Sequence, residues 1–243
     1  MTEPTAPQRS HAVDVWDRVA TASGMVFAVL ALSGFLLTGR TSAGKSNAEI
    51  VRFFADHRTQ IEVQALLFGL AALALLWFAA RLAGLLRGSG GEPTSRIPTI
   101  VVAGAAASVA VFLVGVAAFT ALAQQSGAAG TSRSLFDLGD VAFGLSAFTA
   151  ATFLEGAAVG ILRTGLLARW VGLTGTLLVS LLLVDGIVRM LSVGGGAAAL
   201  GTATFILLLV WVFVVSGLLA LSEARGPALA ETAGEPPFDA SAR

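Results

Sequence analysis

The chain has 243 residues, of which 56% are hydrophobic and only 12% charged, and its mean hydropathy is +0.83. A soluble globular chain carries about 25% charged residues, so this composition excludes an ordinary water-exposed surface and points to a polytopic membrane protein with the lipid bilayer as its partner. Its 15 basic and 15 acidic side chains cancel, which removes the electrostatic basis for nucleic-acid binding. With no cysteine, disulfides, thiolate metal sites and thiol nucleophiles are excluded as well.

A bilayer core of about 30 Å takes about 20 apolar residues of helix, and six runs of that size follow one another. Residues 1–18 read as a polar N-terminal tail. The first span, 19–38, lies between Arg18 and Arg40, is too long for the apolar region of a signal peptide, and is expected to be retained. Between it and the second span, Ser46-Asn47-Ala48-Glu49 matches the capping box that starts a helix. Ile50, Phe53, Phe54 and Ile61 then fall on one stripe, which predicts an amphipathic interfacial helix. That stripe suits a helix end covering the bundle mouth or a gate, and His57 beside it reads as a surface residue rather than a metal ligand.

The second span, 63–86, is interrupted only by Arg81, and the third, 99–123, follows Pro98, which suits a first helical turn. The fourth, 141–162, contains Glu155; the fifth, 170–191, contains Asp185 and Arg189; the sixth, 197–221, follows Gly194-Gly195-Gly196. Residues 222–243 read as a second disordered tail. Because lipid-exposed backbone must satisfy its own hydrogen bonds, the fold class is all-α: six transmembrane helices in one domain over 19–221, plus the interfacial helix.

Basic residues stay on the cytoplasmic side of a membrane. With six spans both ends share a face, which collects Arg9, Arg18, Arg81, Arg87, Arg96, Arg163, Arg169, Arg225 and Arg243. The other face holds Arg40, Lys45, Arg52, Arg58 and Arg133. Nine against five predicts a multi-pass protein of the bacterial plasma (inner) membrane with both termini in the cytoplasm.

The tight connection Arg163 to Trp170 makes a hairpin of the fourth and fifth spans. Its residues Leu166-Leu167-Ala168-Arg169-Trp170-Val171-Gly172-Leu173-Thr174-Gly175, with the Glu49–Arg58 helix feeding an apolar span, resemble a group of multi-span membrane proteins common in high-GC bacteria. Many of that group carry Pro where this chain has Ala168. The resemblance implies a fold and no activity.

Ionisable side chains inside spans must be paired or hydrated, because each costs on the order of 3 kcal/mol at the bilayer centre. Arg81 and Glu155 lie at depths that differ by about 3 Å at 1.5 Å per residue, so an ion pair between them is geometrically permitted. Asp185 and Arg189, four residues apart, share one helical face, and Glu62 and Gln64 open the second span at the same level. Two readings follow: polar clamps that fix helix register, or a proton or cation site at Glu155 or Asp185 in a transport path. Gly156 and Gly160 form a G-x-x-x-G, read as close packing within the bundle, with homodimerisation as the second reading, and Gly104 among Ala103–Ala107 gives the third span a thin face. A faint internal repeat links Trp16-Asp17 and Gly24 to Phe136-Asp137 and Gly144, which would make the two three-span halves inverted copies.

No catalytic motif, cofactor pattern or metal-ligand set is visible, and both histidines, His11 and His57, lie outside the spans. The sequence therefore supports a non-catalytic structural or accessory membrane component, with a small ion- or proton-coupled solute transporter as the alternative.

Overall fold

The computed structural model describes residues 10–38, 46–89, 96–125, 129–191 and 197–233. Outside that set lie the outer parts of both expected tails, Arg40 and Lys45, the glycine-rich connection after Ser89, and Gly194-Gly195-Gly196. Seven helices are described: α1 (Ser10–Thr38), α2 (Asn47–Asp56), α3 (Arg58–Ser89), α4 (Ile97–Gln124), α5 (Ala129–Thr164), α6 (Arg169–Leu191) and α7 (Ala197–Ala233). All but α2 are long and apolar enough to cross a membrane.

Four helix ends depart from the sequence reading. Residues 10–18, expected to be tail, are the first turns of α1, and α7 runs on through 222–233. α3 begins at Arg58 rather than 63, and α5 at Ala129 rather than 141. In each case charged residues end an apolar run without ending a helix, since Asp, Glu and Arg leave the backbone ladder intact. Local signals held where they carry a hydrogen-bonding reason. Ser46 caps α2 as expected, its hydroxyl accepting from the Glu49 N–H at 3.4 Å while the Glu49 carboxylate accepts from the Ser46 N–H at 2.8 Å. Pro98 occupies the first turn of α4. Between α5 and α6 the chain turns at Gly165, whose φ of 65° is a left-handed conformation natural to glycine after a helix.

The six long helices form a closed ring in chain order: α1 packs on α3, α3 on α4, α4 on α5, α5 on α6, α6 on α7, and α7 returns to α1. Small residues permit the closest approaches. A Cβ on Gly104 would come 2.5 Å from the Phe153 backbone nitrogen, so α4 and α5 meet almost backbone to backbone. Of the thin face expected there, Gly104 and Ala105 are buried while Ala103, Ala106 and Ala107 are exposed. The closing seam is polar: Ser216 of α7 donates to the Thr21 carbonyl and accepts from the Met25 N–H at 3.2 Å, joining both ends of one α1 rung. Trp211 of α7 likewise donates to the Val171 carbonyl of α6 at 3.1 Å.

The ring is solid at one end and hollow at the other. At the end where α1 begins, Phe78, Leu82, Val101, Phe153, Leu154, Ile161, Val171 and Val215 fill the centre almost without exposure. Toward the end where α1 finishes, the centre holds a cavity of about 270 Å³. α2 lies across the rim of that end, burying Ile50 and Phe54 against Leu122 and Ala123 of α4 and Phe136 of α5.

Candidate functional site

The cavity is lined chiefly by phenylalanine, with rings contributed by every long helix except α6. From α2 inward the rings touch in sequence: Phe54 meets Phe119 at 5.3 Å between centroids, Phe119 meets Phe143 at 5.2 Å, Phe143 meets Phe112 at 5.2 Å, and Phe112 meets Phe68 at 5.1 Å. All four contacts are edge-on, an arrangement that sets the positive ring edge against a negative ring face. Glycine makes room for them: a Cβ on Gly139 would overlap the Phe119 ring, and one on Gly115 would sit 2.9 Å from Phe143.

Set into this apolar wall is one charged cluster. Arg189 donates from Nε to Asp185 Oδ1 at 3.0 Å, one turn back on α6, as the sequence spacing anticipated. Their side chains are 9% and 5% exposed. Thr204 of α7 shares its one hydroxyl hydrogen between the other Asp185 oxygen at 3.3 Å and the Gly201 carbonyl of its own helix at 3.2 Å. The guanidinium reaches α7 at Gly201, where any Cβ would overlap Nη2. Asp140 of the neighbouring helix α5 faces it, its Oδ1 4.0 Å from Arg189 Nη1 and its side chain half exposed. Neither Asp140 nor Thr204 was singled out as a partner from sequence. The available signal was indirect: Asp140 stands four residues after Phe136 and three before Phe143, hence on their helical face.

Glu62 and Gln64 do not join this cluster. Glu62 is exposed and pairs with Arg58 at 3.0 Å. Gln64 does line the cavity, but its side-chain oxygen accepts from the Thr38 hydroxyl at 2.9 Å, bridging α3 to the end of α1.

The expected contact between Arg81 and Glu155 is absent. Arg81 instead binds Asp17 of α1 at 3.1 Å and Glu223 of α7 at 2.9 Å, while Thr21 donates to the same Glu223 oxygen at 2.9 Å. This knot ties α1, α3 and α7 together at the solid end of the ring. Glu155 lies on the outer face of α5, exposed and without a partner among the described residues. Matching depth was insufficient because Arg81 faces the α1–α7 side of α3, whereas α5 sits beyond α4. Gly156 and Gly160 point inward. Their Cβ positions face Ile100 and Val101 of α4 at 3.1 Å and Leu86 of α3 at 2.6 Å respectively, so the motif is occupied by packing within the chain.

His57 stacks on Phe53 at 4.4 Å between centroids, with Nδ1 2.9 Å from the Phe53 carbonyl oxygen, closing the end of α2. The two halves of the faint repeat use their acidic residues differently: Asp17 crosses to Arg81 on α3, whereas Asp137 pairs locally with Arg133.

No protein-family model, curated protein or solved structure matches the chain.

Proposed function

We propose that this integral membrane protein is a small-solute transporter that receives its solute in the ring cavity, from the face opposite the two chain ends. The observation that carries the reading is the asymmetry of the ring: an open chamber leading to the buried Asp185–Arg189 pair at one end, and a solid core sealed by the Arg81–Asp17–Glu223 knot at the other. Ionisable groups buried in a bundle mark solute paths when a cavity reaches them, and pockets between bundle helices are the usual small-molecule sites. Asp140 and Asp185 line that chamber, whereas Glu155 faces outward, which supports the two chamber carboxylates rather than Glu155 in that role. Alternating access then requires the knot to open, and its members belong to three different helices that would have to part.

With nine basic residues against five, the chain ends belong in the cytoplasm of a bacterial plasma membrane, and the chamber loads from outside. The apolar stripe of α2 packs against α4 and α5 beside the mouth, which supports reading that helix as a cover over the bundle mouth.

A second reading, a structural or accessory component, has one observation of its own: Asp185 is engaged by both Arg189 and Thr204, as in a static clamp.

Because the chain lacks cysteine, single replacements report accessibility directly. Ser146→Cys, in the chamber, should react with a membrane-impermeant methanethiosulfonate only from the face opposite the termini. Ala157→Cys, in the solid half, should not react from either side. A chamber cysteine inert from both faces would favour the structural component instead.

A further inference from the structure

We infer that the solute is an amphipathic organic cation, an amine or quaternary ammonium on a compact apolar body, bound with its head beside Asp140 and its body among the phenylalanines. The inference rests on the reading of the chamber as a solute site and adds the chemical class.

Charge balance comes first. Among the described residues, three charged side chains line the chamber: Asp140, Asp185 and Arg189. Arg189 and Asp185 neutralise each other at 3.0 Å, and Thr204 also reaches the second Asp185 oxygen. Asp140 is left as the surplus charge, 4.0 Å from Arg189 and with no hydrogen bond among the described residues. The remaining polar lining, including Gln64, Ser108, Thr120 and Ser146, is neutral. A ligand anion approaching Arg189 would meet two carboxylates, whereas a cation meets a net negative charge.

The wall chemistry agrees. Phe136 and Phe143 flank Asp140 on α5, and Phe119 touches both rings, at 5.6 and 5.2 Å between centroids. The Phe136 ring is already taken, stacked on Phe119 with Arg133 over it at 5.8 Å from its centroid, which leaves Phe143 as the ring beside Asp140; a carboxylate next to an aromatic ring attracts ammonium groups through the pull of the negative ring face on the cation. Below that level the wall carries only neutral side chains, apolar apart from hydroxyls such as Ser108 and Ser146, and Leu182 lies seven residues below Arg189 on α6, a depth of about 10 Å at 1.5 Å per residue. A cavity of about 150 Å³ accepts benzene, so the 270 Å³ here suits a substituted benzene ring.

The test uses the full chain in non-ionic micelles and equilibrium dialysis of radiolabelled benzyltrimethylammonium, with empty micelles subtracted. Its uncharged carbon isostere neopentylbenzene and the anion phenylacetate serve as competitors. Saturable binding is expected, displaced at least tenfold less effectively by either competitor than by the unlabelled cation. Asp140→Asn should weaken binding at least tenfold, and Asp140→Glu should restore most of it. Asp140 is half exposed at the rim and makes no hydrogen bond among the described residues, so the variants should fold; the comparison of three probes on the unaltered chain decides the matter in any case. Equal competition by all three probes would overturn the assignment of a cation while leaving the chamber as a solute site. Absence of saturable binding of the labelled cation would likewise overturn the assignment, while the chamber reading itself stands or falls separately on the accessibility of Ser146→Cys.

Discussion

The most demanding test of the charged cluster is a single methyl group. Gly201→Ala places a Cβ on α7 where the Arg189 guanidinium now lies, overlapping Nη2 and coming 2.5 Å from Cζ and 2.8 Å from Nε. The guanidinium is the far end of a flexible side chain, but with its side chain only 9% exposed it has little room to swing, so clearing the Cβ is expected to pull it away from Asp185 and lengthen the 3.0 Å bond. A hydrogen bond between charged groups contributes about 1.5–3 kcal/mol, and stripping one partner from a buried pair costs about 3–5 kcal/mol. The better helix propensity of alanine offsets about 1 kcal/mol, so a net loss of about 2 kcal/mol is expected. The same substitution in an Asp185→Leu/Arg189→Ala background should reverse sign and stabilise, since only the propensity gain remains. Reversible unfolding by SDS in mixed micelles, followed by far-ultraviolet circular dichroism, measures both. A cost below about 0.5 kcal/mol, or an equal cost in the two backgrounds, would refute the claim that Gly201 exists to seat Arg189.

Three further substitutions separate the other polar features. Arg81→Met should cost about 1–2 kcal/mol, discounted from the buried-pair value because Asp17 and Glu223 are partly solvated; trypsin should then cut several-fold faster at Arg225, and an unchanged cleavage rate would mean that the knot does not hold α7. Glu155→Leu should be neutral or stabilising in the same unfolding assay, since an unpaired carboxylate on a span is unfavourable by roughly 3 kcal/mol at the bilayer centre; a loss of stability would reveal a partner on that face. Ser46→Ala removes the α2 cap at about 1 kcal/mol, which hydrogen exchange should register as roughly fivefold faster exchange in the first turn of α2, with the long helices unaffected.

Most of the architecture was legible because it is one-dimensional. A run of apolar residues reports a span, S-x-x-E reports a helix start, and i to i+4 spacing alone places Asp185 against Arg189. The partner of Arg81 was not legible, because a residue in a bundle has two coordinates. Depth along the helix follows from counting residues, but azimuth follows from which helices are neighbours. Asp17 and Glu223 are further hidden by lying beyond the apolar runs, in stretches whose composition and missing apolar periodicity read as tails. The chamber was invisible for a related reason: a phenylalanine that fills a core and one that lines a void have the same sequence signature, and only ring closure distinguishes Phe78 from Phe112. Asp140 stood in plain sight beside Asp137, yet nothing local says that it faces inward.

Ring closure also has a consequence for how the protein is made. Five of the six long-helix contacts join elements consecutive among the spans, so each can form as soon as the next helix enters the membrane. The sixth joins the last helix to the first, and its bonds, Ser216 on the Thr21–Met25 rung and Glu223 with Arg81, wait until α7 has arrived. Until then the wall between α1 and α6 stands open to lipid, with the phenylalanine chamber exposed through the gap. Contacts this distant in sequence form late and slowly, so the half-made protein is the species most exposed to mispairing. Assembly quality control for this fold therefore reduces to one event, the docking of α7 against α1.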